Sequence, residues 1–223
     1  MKQNLIIFGK GDFAHLAYLK FLESGLYNIV SFTVNKEYID GPEFCGLPLI
    51  DFDYLQDYYP PTECSLFLAI GYRNVSRSTI FELTNKRAGK WFEAKSKGYN
   101  LISYISPKAT VDRNTTKIGE NCFISDNVTI EPFAMIGDNV TIWGGGFIAH
   151  HTTVGSHCFI APRAAIAGRV TIGESCFLGV NSTIRDNVKI GKQCVIGAGA
   201  VILKDTQEGG VYKAQETLLS AKE

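Results

Sequence analysis

The chain has 223 residues and balanced charge, with 22 basic and 22 acidic side chains. This balance gives no electrostatic case for nucleic acid or an anionic membrane surface as a partner. No apolar run approaches a membrane span, and the first apolar segment is too short for a signal peptide, so we expect a cytosolic protein. The length allows one large domain or two small ones.

The first hundred residues alternate apolar segments with helical patterns. Buried strands are predicted over 4–9, 27–34, 47–50, 65–71 and 101–105, and helices over 14–24, 51–58 and 74–90. Alternation of this kind is typical of an α/β domain, a small parallel Rossmann-like sheet with helices on its faces. Ligands of such sheets bind beyond the carboxyl ends of the strands.

A glycine-rich turn follows the first predicted strand and opens the first predicted helix. In Gly9-Lys10-Gly11-Asp12-Phe13-Ala14, alanine stands where a dinucleotide fingerprint has its third glycine. The turn can hold a phosphate on backbone N–H groups, or it can be a tight turn without a ligand. After the second strand comes Asn35, which is not acidic and so disfavours a nicotinamide cofactor.

From Ile118 to Ile202 an aliphatic residue recurs at every sixth position, and a small or branched residue usually follows four positions later. This period fits neither an α-helix nor a hairpin array, and it predicts a hexapeptide parallel β-helix in which three units close one coil. Residues 18 apart should then stack, and the anchors should fill the interior. The anchors are Ile118, Ile124, Ile130, Ile136, Ile142, Ile148, Val154, Ile160, Ile166, Ile172, Leu178, Ile184, Ile190, Ile196 and Ile202.

The two patterns divide the chain into an α/β domain at 1–104, a β-helix at 105–205 and a polar tail at 206–223. Four of the six cysteines fall on the small inward position of the repeat, where cysteine acts as a small apolar residue. No two cysteines have Cys-x-x-Cys spacing, so no metal site is predicted. These four are Cys122, Cys158, Cys176 and Cys194.

The largest departure from the repeat is Trp143-Gly144-Gly145-Gly146-Phe147, and His150 and His151 follow it closely. A run of glycines weakens a coil and lets a ligand or another backbone approach. Histidine titrates near neutral pH, so the pair can supply a general base; the alternative is a solvated pair on a turn. His157, six residues beyond His151, is predicted on the next face of the coil and at the surface.

Trp143 and Arg163 come next to the histidine coil if residues 18 apart stack, because Gly145 would lie beneath Arg163. Both are candidate site residues. Trp143 could instead cover the coil, and Arg163 could be a solvated charge. The chain has no Gly-x-Ser-x-Gly nucleophile motif, so direct transfer from a thioester to a bound amine or hydroxyl is the simpler mechanism.

Together, the Ile-Phe-Gly-Lys-Gly-Asp-Phe-Ala turn, the Leu-Ala-Ile-Gly strand at 68–71 and the hexad array resemble the NeuD/PglD-like sugar acyltransferases over nearly the whole chain. The resemblance implies a homotrimer of left-handed β-helices with active sites between subunits. It also implies transfer of an acetyl or larger acyl group from acyl-CoA, a co-substrate, to the amine of a nucleotide-linked amino-deoxy sugar. No tightly bound cofactor is expected.

The family's catalytic histidine falls on His150, with His151 a close second because related sequences carry a His-His pair. By the same resemblance, we expect nucleotide-sugar contacts from Gly9, Gly11, Asp12, Asn35, Lys36, Gly71 and Tyr72, with Trp143 as a further substrate-binding candidate. We expect acyl-CoA contacts from Phe159, Arg163, Gly179, Gly197 and Ala198.

Phe159 departs from the family pattern, because some members carry a second histidine there that faces the thioester. With Trp143 it would make a less polar neighbourhood, suited to an acyl group larger than acetyl. Two alternatives stay open: a sugar O-acetyltransferase of the sialic-acid type, and a non-catalytic β-helix that binds metal or serves as a scaffold. A zinc site would need three histidine ligands, of which His151 and His157 could supply two.

Overall fold

A computed structural model describes residues 2–71 and 77–214. Its N-terminal part is a sheet with the strand order β3-β4-β2-β1-β5-β6, in which neighbours run parallel except β3 and β4. The strands are β1 Gln3–Phe8, β2 Tyr27–Val34, β3 Glu43–Phe44, β4 Leu47–Asp51, β5 Cys64–Leu68 and β6 Asn100–Leu101. The helices are α1 Asp12–Ser24, α2 Leu55–Tyr58 and α3 Arg77–Ser96, with 3-10 turns at Lys36–Tyr38 and Phe52–Tyr54.

The apolar strands predicted from the sequence form the centre of this sheet. β1 and β5 pair in register, with Phe8 opposite Leu68, and their side chains fill the layers beneath helices on both faces. Three predictions differ from the structure. The tail predicted from residue 206 onward still contributes Val211–Tyr212, which pairs with Val195–Ile196 of the β-helix. The strand predicted over 101–105 is divided, because Leu101 ends the sheet and Tyr104–Ile105 begins the β-helix. The helix predicted over 74–90 continues to Ser96, and its predicted start lies outside the described residues.

The second part is a left-handed parallel β-helix with three faces, as the hexad pattern and the resemblance predict. Face A contains β7 Tyr104–Ile105, β10 Phe123–Ile124, β13 Thr141–Ile142, β16 Phe159–Ile160, β19 Phe177–Leu178, β22 Val195–Ile196 and β24 Val211–Tyr212. Face B contains β8 Thr110–Val111, β11 Thr129–Ile130, β14 Phe147–Ile148, β17 Ala165–Ile166, β20 Thr183–Ile184 and β23 Val201–Ile202. Face C contains β9 Lys117–Ile118, β12 Met135–Ile136, β15 Thr153–Val154, β18 Thr171–Ile172 and β21 Lys189–Ile190.

Each two-residue strand points one side chain inward, and partners from β9 to β23 are 18 residues apart, such as Ile142 and Ile160. The anchors and the small residues that follow them make one continuous core, in which Cys122, Cys158 and Cys176 are fully buried. Burial raises the pKa of the Cys122 thiol to about 12, so it is a neutral packing residue at physiological pH. The interpretation of these cysteines as structural thiols is confirmed.

The turns at the corners of the coil place every sixth residue in the left-handed conformation, from Asn121 to Gly199. Asn tolerates this conformation better than other non-glycine residues, which explains why Asn recurs at this position. We name the corners by the faces that they join. The B–C corner consists of the turns 131–134, 149–152, 167–170 and 185–188, and the A–B corner includes 143–146, 161–164, 179–182 and 197–200. The C–A corner includes 119–122, 137–140 and 155–158.

The α/β domain packs against face A and the C–A corner of its own chain. Phe13 of α1 contacts Phe123 and Trp143, with ring centroids 5.1 and 5.3 Å apart. At the C–A corner, the Asn121 side chain accepts a hydrogen bond from Leu68 N at 2.8 Å, at the end of β5. In a three-sided coil, the B–C corner therefore lies on the side away from the α/β domain.

His157 is buried in this interface, with 8% of its surface exposed, so the prediction of a surface position is wrong. The left-handed turn aims its side chain at α3, where it lies 5.7 Å from the Trp91 ring. Its Nδ1 is 3.0 Å from Asn139 Nδ2, and its carbonyl accepts a hydrogen bond from the Arg87 guanidinium. The sequence could not show that His157 is buried, because the domain that covers this corner is distant from it in the chain.

Candidate active site

The B–C corner brings His150 and His151 together at an exposed position. Their Nδ1 atoms are 3.2 Å apart and their rings are nearly perpendicular, at 85°. At that distance one Nδ1 donates its proton and the other accepts it. The donor ring then has a free lone pair on Nε2. A proton taken up there makes an imidazolium whose Nδ1–H bond to the neighbouring ring is charge-assisted. The pair is therefore built to accept one proton.

Two further residues, one from each neighbouring coil, fix the position of the His150 main chain and its ring. Glu131, one coil below, accepts a hydrogen bond from the main-chain N–H of His150 at 2.9 Å. Gly168, one coil above, lies directly against the imidazole, because a Cβ at this position would be 2.8 Å from His150 Cε1 and 3.0 Å from Nε2. Glycine at 168 leaves the room that the ring occupies. Neither residue is among the sequence predictions, although the 18-residue stacking rule leads directly to Gly168.

His151 rests on an aromatic ring from the coil below. The centroids of Phe133 and His151 are 4.8 Å apart, with an angle of 32° between the rings. The sequence analysis did not identify Phe133 as a site residue. Its position 18 residues before His151 is a signal that could have found it.

A second candidate site is a cleft of about 800 Å³ at the carboxyl ends of the parallel strands. It is bordered by the turn between β1 and α1, by the end of β2, by residues 69–71 after β5, and by α3. Backbone N–H groups at the first turn of α1 have no helical partner and can bind an anion. Of the residues predicted to bind substrate, Gly9, Gly11, Asp12, Asn35 and Gly71 line this cleft.

Three basic side chains line this cleft, Lys10, Lys86 and Lys90, together with the carboxylates of Asp12, Glu37 and Asp40. Lys86 and Lys90 enter it from α3, and Lys10 pairs with Asp40 at its rim, which lowers the pKa of the Asp40 carboxyl. The Lys90 side chain is only 12% exposed, forms an ion pair with Glu93, and has its Nζ 4.5 Å from the centroid of the Phe52 ring. A phosphate can replace Glu93 as its partner.

Asn35 presents an unused acceptor in the same cleft. Its Oδ1 is buried and has no hydrogen-bond partner among the described residues, while its Nδ2 lies 3.4 Å from Glu37 Oε1. A buried amide oxygen without a partner is costly, so a ligand that donates a hydrogen bond here gains affinity. Lys36 does not line the cleft, and Tyr72 lies outside the described residues.

The remaining predicted site residues lie apart from the histidines. Trp143 packs between Phe13 and Phe159 in the domain interface, and its Nε1 is buried without a partner in the described part of the chain. Phe159 stacks on Phe177 on face A, with centroids 5.4 Å apart. Neither ring is brought together with the histidine pair. The A–B corner carries Arg163, Gly179, Gly197 and Ala198, of which Arg163 and Ala198 are exposed.

The coils stack so closely at the A–B corner that a Cβ at Gly179 would lie 2.5 Å from Ala198 N. Gly179 is buried, so the space that a side chain would take at this position is filled by the next coil. Within residues 2–71 and 77–214, no group of three or more histidine, cysteine or carboxylate side chains is arranged to hold a metal ion. The same residues contain no helix that is long and apolar enough to cross a membrane.

Comparison with known proteins agrees with this architecture. The profile of the bacterial transferase hexapeptide (six repeats) matches residues 115–150 and 169–204, whereas no curated protein matches the sequence. PerB from Caulobacter crescentus, solved with CoA and GDP-perosamine, is 25% identical; the match covers 95% of this chain and 94% of that chain with a TM-score of 0.81.

Two further structures share the fold at lower identity. The acetyltransferase domain of PglB from Neisseria gonorrhoeae, in complex with acetyl coenzyme A, is 21% identical, covers 96% of this chain and 97% of its own, and has a TM-score of 0.82. WeeI from Acinetobacter baumannii is 17% identical, covers 94% and 96%, and has a TM-score of 0.77. These matches extend over both parts of the chain and confirm the predicted resemblance in repeat and fold.

Proposed function

We propose that this hexapeptide-repeat protein is an acyl-CoA-dependent N-acyltransferase that acts on the amine of a nucleotide-linked amino sugar. The observation that carries the proposal is the exposed histidine pair at the B–C corner, with its Nδ1 atoms 3.2 Å apart. Similarity over 95% of the chain to PerB, a protein solved with CoA and GDP-perosamine, supports this substrate class.

In the proposed reaction His150 is the general base. The amine nitrogen of the sugar attacks the thioester carbonyl carbon and gives its proton to His150 Nε2. The new C–N bond forms, the C–S bond breaks, and the departing thiolate takes the proton from the imidazolium to leave as free CoA. His151 stabilises the imidazolium by accepting the Nδ1–H of His150.

The cleft of the α/β domain is the proposed site for the nucleotide diphosphate. The α1 N-terminus and Lys90 supply positive potential for the phosphates, and Asn35 Oδ1 offers an acceptor to a nucleobase or sugar N–H or O–H group. The small residues at the A–B corner, among them Gly179 and Gly197, are the proposed contacts for the pantetheine arm of acyl-CoA.

The proposed assembly is a homotrimer in which each active site combines two subunits. In one chain the α/β domain covers face A, while the histidines are at the corner on the other side of the coil. A sugar held in the cleft therefore reaches a histidine pair more directly in a neighbouring subunit than in its own. Met135 and Phe147 lie beside the B–C corner as exposed large apolar side chains, which suits an interface.

Release of free CoA thiol tests this function. The purified protein is assayed with acetyl-CoA and longer acyl-CoAs against dTDP-, UDP- and GDP-linked amino sugars. We expect thiol release that requires both substrates, and an amide product by mass spectrometry. His150→Ala should lower kcat by about 10²- to 10⁴-fold, the usual contribution of a general base. His15→Ala, which removes an exposed histidine of α1, is the matched control. No release with any pair of substrates contradicts the proposal.

A further inference from the structure

Phe133 occupies a backbone position that disfavours it. Its φ is 65°, in the left-handed region, at the turn position where the other non-glycine residues of the described coil are Asn, His, Arg, Ser or Gln. A bulky aromatic residue is less favourable in this conformation than Asn. Strain of this kind is found where surrounding structure and function require the side chain.

Hydrogen bonds from the turn at 112–116, between β8 and β9, hold the Phe133 backbone in place. Its N–H donates to Thr115 Oγ1 at 2.9 Å, and Thr115 Oγ1 in turn donates to Asp112 Oδ2 at 3.2 Å. The Asp112 carboxylate also accepts from Asn114 N at 2.8 Å. The turn that carries Phe133 is thus tied to the coil below by hydrogen bonds.

The Phe133 ring does not contribute to the core of the coil. It is 53% exposed, and its side-chain contact with a ring is the one to His151, at 4.8 Å between centroids. His151 is joined through Nδ1 to His150, whose other side is limited by Gly168. The described contacts therefore form a series from Phe133 to His151 to His150.

We infer that Phe133 is a positioning residue, which holds the His151 imidazole at the orientation in which its Nδ1 accepts the proton of His150 Nδ1. This inference rests on the proposed function for its kinetic consequence, but not for its structural one. Without the Phe133 ring, His151 can turn toward solvent and its Nδ1 leaves His150. The Nε2 lone pair of His150 is then no longer fixed by a hydrogen bond on Nδ1, and the fraction of productive tautomer falls.

Phe133→Asn separates this role from a role in folding. Asn is favoured in the left-handed turn, which offsets the lost ring contact, so we expect Tm to change by less than about 3 °C. We expect kcat to fall about 10- to 100-fold, while KM for both substrates changes less than about twofold. Phe133→Tyr, which restores an aromatic ring, should return kcat to near the wild-type value. Gln193→Asn, the same turn position with φ 56° at the C–A corner, is the matched control.

A second readout does not depend on activity. In protein with labelled histidines, the Phe133 ring current should shift the His151 ring signals relative to their positions in Phe133→Asn, whereas Gln193→Asn should retain the wild-type positions. If wild-type protein transfers no acyl group but the shift is present, the proposed function fails and the positioning stands. Unchanged kcat, a raised KM with kcat retained, loss of assembly in Phe133→Asn, or no shift in the wild type would each overturn the inference.

Discussion

Gly168→Ala tests whether the place of the His150 ring matters for catalysis. The added methyl carbon would lie 2.8 Å from Cε1, 3.0 Å from Nε2 and 3.3 Å from Nδ1 of His150, where ordinary contacts begin at 3.4 Å. The ring must therefore move by at least about 0.6 Å, and a displacement of that order at a reacting group costs about 10- to 100-fold in rate. Gly168 is not in the left-handed region, so alanine brings no backbone strain.

Steady-state kinetics measures kcat of the Gly168→Ala variant, and thermal unfolding measures its Tm. We expect kcat to fall about 10- to 100-fold and Tm to stay within about 2 °C of the wild type. Gly144→Ala is the matched control, since it occupies the same turn position and its methyl group would meet only Asp126 O, at 3.2 Å. In a His150→Ala background Gly168→Ala should have no further effect on kcat. An undiminished kcat, or an equal loss in both backgrounds, would refute the reasoning.

Three further variants test the interface, the cleft and the core. Burial, reinforced by the charge of Arg87, lowers the pKa of His157 from its usual value of 6.5. As the pH falls, the unfolded chain therefore protonates this histidine before the folded chain does. Its contribution to the free energy of unfolding is complete above about pH 6.5 and is lost below it. His157→Asn keeps a hydrogen-bond acceptor for Asn139 but does not titrate, so Tm should fall less below pH 6.5 than in the wild type. An unchanged fall of Tm with pH would show that His157 is not its cause. Lys90→Met removes a charged phosphate partner, so KM for the nucleotide sugar should rise about tenfold. An unchanged KM would show that Lys90 does not contact the nucleotide sugar. Ile160→Ala, fully buried in the coil, should lower the free energy of unfolding by about 2–5 kcal/mol in denaturant titration, and a loss below about 1 kcal/mol would contradict a packed core.

The repeat could be predicted from the sequence because its physical causes are local. Each turn needs a residue that tolerates the left-handed conformation, and each coil needs one large and one small inward side chain, so both requirements recur every six residues. The same regularity predicted a histidine pair on a turn and thiols in the core. The carboxyl-end cleft followed from strand order, which placed Gly9, Gly11 and Asn35 around one cavity.

Contacts between distant parts of the chain could not be predicted in this way. The packing of the α/β domain on face A encloses Trp143 and Phe159, and it buries His157 beneath α3. The covered face does carry a signal that the sequence analysis did not use, because the outward positions of its strands include Phe123, Phe159 and Phe177. Lys90 was missed because its entry into the cleft depends on how α3 is rotated against the sheet. Gly168 was within reach, since it follows His150 by one coil.

Subunit mixing tests the central claim most directly, namely that a cleft of one subunit serves the histidine pair of another. One chain carries His150→Ala and the other carries Lys90→Glu, with different purification tags. Mixed trimers are isolated with both tags and assayed at a nucleotide-sugar concentration well below KM, where the altered cleft contributes little. Because a competent site needs an intact histidine from one chain and an intact cleft from another, every mixed trimer contains one competent site out of three, and about a third of the wild-type activity should be restored. Mixed trimers that are no more active than either parent would contradict the account.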